Sequence, residues 1–538
     1  MPSFILVASC LLAAQTVSTP VQKFSRQFPL NATNVPAAAL ADARPSAWNG
    51  PEKGPVSGLQ KYSQEPEGVV WLGSEQGAAR FDPRAGHRWD RWQYFAGRRY
   101  LGDDTVRQIW VDTNAPHLQV WIRTSNSVSL VEWRPTTLEE KAEHFERRIE
   151  ARHVRYGLVA DSNLRVAGDV STNLPRDNDN DGLWTAIYLG AQSFRFAAMK
   201  SPEARMKARR SLDAMLRLEE ITGVPGFYAR SFLSREEPPP QGGEWHPTAD
   251  GRWLWKGDTS SDESVGHYFA YSVYFDLVAD RAEKELIRKV VARMTDYLMA
   301  HDYDLLDLDG KPTRWGQWSE RYFQTEEGKY EAALRSLELL SFLKTTAYIT
   351  GDKKYGDAYA DRIRRGYANH TRVYRRWAGG GEINFSDDEL AYLSWYPLLQ
   401  HERDSKLRTI YLDGLRFTWG KIRPDRNPLW NFISVAGAAG TLTPEVLDDS
   451  RRALERIPMD MVEWTMRNSH RIDVDFQPAI DRFNHRQLTE VLAPDERPVQ
   501  KWNSNPYLPD GGSGGHAEDD GAYFLLPYWM GRYYGWLK

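Results

Sequence analysis

The spacing of apolar positions changes twice along the chain. Residues 19–65 are rich in Pro, Ala, Ser and Asn and show no period, so they read as an extended leader or linker. In residues 66–135 short runs of Val, Ile, Trp and Phe alternate with polar residues, the two-residue period of strands. Residues 69–73 (VVWLG) lead through a turn to residues 78–81. Residues 120–123 and 128–131 repeat that arrangement, with residues 106–111 between. A small β-rich domain is expected there.

From residue 137 the period becomes that of helices, and two kinds alternate. Helices starting near Asp181, Ser261, Lys329, Asp387, Pro428 and Asp520 are apolar on nearly every side, which requires burial. Those over residues 202–221, 281–300, 353–377, 402–419 and 444–456 are amphipathic. In the second of them Leu286, Ile287, Val290, Val291, Met294, Tyr297 and Leu298 form one stripe. Thr137-Leu138-Glu139-Glu140 is a capping box that opens one further amphipathic helix. Six inner helices shielded by six outer ones make an (α/α)6 toroid over residues 137–538. The long loops entering the inner helices then gather at one end, where sites are usually carried.

The densest chemistry lies at residues 257–277, GDTSSDESVGHYFAYSVYFDL. Ser260 and Glu263 fit a capping box, so Glu263 reads as a cap. Asp258 and Asp262 have no such structural duty and are candidate catalytic carboxylates. His267 is on the face of Glu263 and is either a catalyst or a hydrogen-bonded core histidine.

Composition narrows the classes. The formal charge of -4 argues against nucleic acid held by bulk positive charge. With 21 Trp and 26 Tyr the chain suits either a sugar ligand, whose C–H faces stack on aromatic rings, or a large aromatic core. The single cysteine, Cys10, excludes a disulfide framework. It lies in an apolar run, residues 4–14, of signal-peptide length and too short to span a bilayer. Residues 1–18 are expected to be a signal peptide, the mature chain secreted or lipid-anchored at Cys10, and no later segment to cross a membrane.

Two resemblances follow from these patterns. The form V-W-L-G-x-x-x-G-x-x-x-F-D from Val70 to Asp82 resembles a strand pair of the propeller repeats in bacterial two-component regulators. Two such pairs do not close a propeller. The paired helices after a β-region, with aromatic loops, resemble the (α/α)-toroid carbohydrate-active enzymes: inverting glycoside hydrolases, uronyl hydrolases, polysaccharide lyases and sugar epimerases. That resemblance implies a carbohydrate substrate and leaves the reaction open.

Further candidates cluster at the helix entrances. Asp177-Asn178-Asp179-Asn180-Asp181-Gly182 is similar to the start of a calcium loop, but Tyr188 stands where the twelfth-position glutamate belongs. Ca2+ could bind near Asp177, Asp179 and Asp181; otherwise no cofactor is expected. Alternatively Asp181 faces the cavity as a catalytic acid, with Trp184 and Tyr188 on its face. Ser386 and Glu389 fit another capping box, which assigns Glu389 to structure, ahead of Trp395. Glu518, Asp519 and Asp520 follow the Gly-rich run that ends at His516. Arg314, Trp315 and Trp255 add cations and stacking surfaces.

Hydrolysis needs one protonated and one ionised carboxyl; Asp181 and Asp262 are the expected pair, with Asp258 and His267 as further candidates. Trp184, Tyr188, Trp255, Arg314, Trp315, Trp395 and His516 are the expected sugar contacts. The expected function is cleavage of glycosidic bonds in an oligo- or polysaccharide, one bearing uronates. A lyase with a Tyr or His base is the alternative, and a non-catalytic glycan-binding protein the second alternative.

Overall fold

The computed structural model describes residues 19–538 except 66, 239, 241, 376–383, 482, 499–500 and 502. The signal-peptide expectation, residues 1–18, and the Trp377 end of one helix lie outside the described residues.

The protein is mostly helical with a β-rich N-terminal region. Nine strands build that region: β1 Val21–Pro29, β2 Ser46–Ala47, β3 Gln60–Gln64, β4 Val70–Ser74, β5 Gly77–Phe81, β6 Trp92–Phe95, β7 Val106–Asp112, β8 Gln119–Thr124 and β9 Ser127–Pro135. They form two antiparallel sheets, ordered β2-β3-β4-β5-β6 and β1-β9-β8-β7. The sequence motifs around Trp71 and Trp121 are the hairpins β4–β5 and β8–β9. Trp71, Phe95, Val106, Ile109, Val120, Ile122 and Trp133 join the two sheets in one apolar cluster. Trp71 and Trp133 meet edge-on at 5.6 Å, a favoured aromatic geometry.

The expected leader over residues 19–65 is corrected here. β1 pairs with β9 along its whole length, from Val21↔Pro135 to Pro29↔Ser127, and β2 and β3 are the first two strands of the other sheet. β1 and β2 are edge strands, and none of β1, β2 and β3 has more than one buried position. Such strands need no apolar alternation, so none is written in the sequence.

Twelve helices of nine or more residues follow among the described residues: α1 Leu138–Arg152, α2 Asp181–Met199, α3 Pro202–Glu220, α4 Ser261–Leu277, α5 Arg281–Ala300, α6 Glu326–Thr350, α7 Lys353–Arg364, α8 Phe385–His401, α9 Ser405–Ile422, α10 Pro428–Ala436, α11 Pro444–Arg456 and α12 Ala522–Tyr533. The even-numbered helices are the apolar ones. Each packs on the next, and α12 packs back on α2. The odd-numbered helices lie against them, α3 on α2, α7 on α6, α11 on α10 and α1 on α12. In α4 every residue from Glu263 to Phe275 is buried, whereas α5 buries a single stripe including Ile287, Val290, Val291 and Met294.

The starts are fixed by side-chain caps. Thr137–Glu140, Ser260–Glu263 and Asp280–Glu283 are reciprocal capping boxes. No helix among the described residues is long and apolar enough to cross a membrane.

The β-region is fastened to the helices. Trp89 packs on Ala453, Val491 and Ala493. Asp495 receives Lys23 at 2.5 Å, the Tyr100 hydroxyl at 2.9 Å and Arg456 at 2.8 Å. Burial would raise its carboxyl, but Arg456 and Lys23 hold it below the usual carboxylate range. Within residues 88–99, Trp89 and Arg99 thus bind the β-rich region to residues 453–497.

Candidate active site

Glu389 sits in the second turn of α8. The helix starts at Phe385, and the N-cap is Asn384, whose Oδ1 accepts the Ser386 N–H at 3.4 Å. That places Glu389 two residues beyond the capping-box position, which Asp387 occupies. The three consecutive acids then diverge by about 100° each around the helix. Asp388 turns to the Tyr374 hydroxyl at 3.0 Å and to Arg375 at 2.6 Å. Glu389 turns inward. It is 1 % exposed, and neither carboxyl oxygen has a hydrogen-bond partner. Burial raises its pKa to about 8, the charges of Asp262 and Asp520 add to that, and Lys501 opposes them. At neutral pH it is a protonated acid, aimed at a cavity lined by Trp184, Ile187, Lys501, Asp520, Ala522 and Tyr523. The expectation that Glu389 is a cap is therefore corrected.

Asp262 is the second carboxylate. It is the second residue of α4, partly exposed, with Oδ2 2.9 Å from Ser260 Oγ. Its neighbour Glu263 is fully buried, pinned by the Ser260 hydroxyl at 2.6 Å and facing Arg230 at 3.7 Å. Glu263 holds the helix start, and Asp262 stays partly exposed beside it.

The Trp184 ring forms one wall. Its Nε1–H donates to Asn178 Oδ1 at 3.1 Å, and the Lys501 ammonium stands 4.1 Å from its centroid. Lys501 is also paired with Asp161. Asp161, Glu463 and Asp519 bring one carboxylate oxygen each within 4.8 Å of one another. This group could coordinate a divalent cation such as Ca2+, which prefers clustered carboxylates. Burial, opposed by Lys501, raises Asp161 to about 6, and burial together with Asp161 raises Asp519 well above its ordinary value. The Ca2+ expectation is met at these residues instead of at Asp177, Asp179 and Asp181. There Lys256 pairs with Asp179 and Arg155 with Asp181.

Several expected site residues are placed elsewhere. Asp181 does open α2, but it is 1 % exposed and committed to Arg155 at 2.9 Å, to the Ser231 hydroxyl and to the Asn178 N–H at 3.3 Å. Burial pushes its carboxyl up and Arg155 opposes that. Asp258 is a turn residue with φ +48°; its N–H donates to Asp307 at 2.6 Å and its Oδ1 accepts the Arg314 N–H at 2.9 Å. His267 is fully buried, with Nδ1 2.7 Å from the Glu263 carbonyl oxygen, and burial lowers it to about 4. It is the core histidine of the two alternatives.

Tyr188 is buried and donates to Glu146 at 3.0 Å. Trp255 packs against Phe227 and His246, and Trp395 against Tyr374 and Tyr392, both buried. Arg314 stacks on Trp315 at 4.5 Å on a hairpin that does not line the Glu389 cavity. His516 is exposed, with Nδ1 3.1 Å from the Leu164 carbonyl oxygen. Of the expected residues, Trp184 lines the cavity, whereas Asp262 does not line it and bears on it through its charge, which raises the Glu389 carboxyl. Glu389 was detectable as the third acid after Asn384, had the helix start been set two residues earlier.

The chain matches no family model and no curated protein. It is similar to a solved sugar epimerase from a ruminal bacterium, with a TM-score of 0.38 and 10% identity, over 74% of this chain and 98% of that one.

Proposed function

We propose that this chain is a secreted glycoside hydrolase whose twelve helices close as an (α/α)6 toroid, with Glu389 as general acid and Asp262 as the opposing carboxylate. The unbroken sequence of contacts from α2 to α12 and back to α2 supports the closure. The single observation that supports the chemistry is the buried Glu389 carboxyl, which has no partner of its own and stays protonated through neutral pH.

In this scheme the Glu389 proton passes to the glycosidic oxygen as the C–O bond breaks. Asp262 accepts a proton from the water that attacks the anomeric carbon. Trp184 supplies an apolar face for the sugar ring. A lyase fits less well, because it needs a base beside a sugar C–H. His267 is sealed in the core, and burial keeps the Tyr523 hydroxyl from ionising.

The lining also bears on the substrate. Asp520 lines the cavity with Glu389, Asp262 acts on it, and Lys501 is shared with Asp161. A uronate carboxylate would meet like charge here, so we assign a neutral or amine-bearing sugar in place of the uronate expected from sequence. Secretion rests on the apolar run at residues 4–14.

The test is a screen of the purified chain against neutral, amino and acidic polysaccharides, following reducing ends and absorbance near 235 nm. New reducing ends without absorbance, lost in Glu389→Gln, are expected. Unsaturated product, or full activity in that variant, overturns the assignment.

A further inference from the structure

A second group of donors lies outside the Glu389 cavity. Glu244 and His246 are two residues apart at the start of the strand Trp245–Pro247, so their side chains leave on one face. The strand is paired with Trp253–Lys256, and the Glu244 carbonyl accepts the Gly257 N–H at 2.8 Å. Asp307 reaches the same point from the turn between the strands Asp304–Leu306 and Pro312–Gln317. His246 Nε2 is 3.3 Å from Glu244 Oε1 and 3.9 Å from Asp307 Oδ1. One donor atom from each residue falls within 4.8 Å of the others.

We propose that Glu244, His246 and Asp307 bind a divalent transition-metal ion, Zn2+ by preference. Four features on the structure carry this. The Nε2 atom is buried yet has no hydrogen-bond partner, although two carboxylates flank it. The ring packs against the buried Trp255, with centroids 4.5 Å apart and planes tilted by 38°, which limits the directions open to Nε2. Among the described residues, the imidazole is the sole group within ion-pair distance of either carboxylate, and Lys311 acts on Glu244 only from beyond that distance. A side chain at Gly257 would put a Cβ 2.9 Å from His246 Nε2 and 3.0 Å from Asp307 Oδ2, so glycine keeps the space between the donors open.

The donor chemistry selects the ion. Tetrahedral Zn2+ with bonds of about 2.0–2.2 Å sets neighbouring ligand atoms about 3.3–3.5 Å apart. The His246–Glu244 separation already matches that edge, and Asp307 Oδ1, which also accepts the Leu308 N–H at 2.6 Å, stands 3.9 Å from Nε2. An imidazole with two carboxylates suits Zn2+ or another late first-row ion, whereas Ca2+ takes oxygen donors alone. Glu244 is 54% exposed, which opens an entry path and a water position on that side.

The ion would fasten the approach to Asp262. Asp307 holds the Asp258 N–H at 2.6 Å, and Asp258 stands four residues before Asp262. Tying the 244–257 hairpin to Asp307 therefore fixes the entry to α4. The ion is a brace and takes no part in bond cleavage.

The test uses the full chain stripped with EDTA and titrated with ZnCl2 or CaCl2 by calorimetry and thermal unfolding. One Zn2+ per chain, with a Tm rise of several degrees, is expected for the wild type and for Asp161→Asn. Both signals are expected to be lost in His246→Gln and weakened at least tenfold in Glu244→Gln, an exposed position that leaves the fold intact. No Zn2+ uptake by the wild type, or undiminished uptake by Glu244→Gln and His246→Gln, overturns the site. Uptake lost only in Asp161→Asn moves the ion to the other acidic group and equally overturns it.

Discussion

Asp262, at the start of α4, raises the proton affinity of Glu389, in the second turn of α8, across two helices that pack directly on one another. Burial makes the larger contribution to that rise, and the Asp262 charge adds to it.

Asp262→Asn removes that repulsion and the proposed base together. Turnover is expected to fall by at least 100-fold. Carboxyl-carbon NMR should place the Glu389 titration below its wild-type position near 8. An unmoved titration would mean that the two groups are not coupled.

Glu389→Gln is expected to stabilise the protein as pH rises. The folded pKa near 8 exceeds the ordinary glutamate value of 4.5, so the folded state favours the proton. Stability is then complete below pH 4.5 and is lost as pH climbs through 8. The loss approaches roughly 3–5 kcal/mol by pH 9. Thermal unfolding of the variant and the wild type should coincide near pH 4.5 and diverge in favour of the variant at pH 9.

Asp181→Ala is expected to damage the fold and spare the chemistry. It strands the Arg155 guanidinium, whose side chain is 9% exposed, without its counter-charge. Breaking such a pair costs about 3–5 kcal/mol. Urea unfolding measures that loss, while kcat of the folded fraction should remain within a few-fold of wild type.

Trp184→Ala and Tyr188→Phe separate the wall of the cavity from the core beneath it. The first is expected to raise KM about tenfold, in keeping with loss of about 1.5 kcal/mol of stacking. The second leaves KM unchanged and costs about 1 kcal/mol of stability through the lost bond to Glu146.

The helical alternation was legible because burial on every side and burial on one stripe leave different residue patterns, as α4 and α5 show. Caps were legible where the motif and the helix start coincide, as at Thr137 and Ser260. They misled at Ser386, where the true cap is Asn384, two residues earlier. The acids of the site were harder to sort. Asp181 and Asp262 look alike in sequence, and what separates them is Arg155, a residue remote from either helix start in the linear pattern. Aromatic residues divided in the same way: Trp184 reaches the cavity, whereas Trp395 and Tyr188 occupy the interior that their size fills equally well. Lys501 and Asp161 carry no motif, because a residue brought in by a long connection has no periodic neighbours to announce it.

The junction at Asp495 bears on how the chain can be dissected. Lys23 comes from β1, Tyr100 from the segment after β6 and Arg456 from the end of α11; the two cations neutralise one interior anion and the Tyr100 hydroxyl donates to it. Cutting the chain after residue 30 would withdraw an ammonium from that anion and unzip the outermost strand of a sheet. The front of the molecule is thus a splint for its far end, and a helical fragment expressed alone would inherit a charge it was never built to shelter.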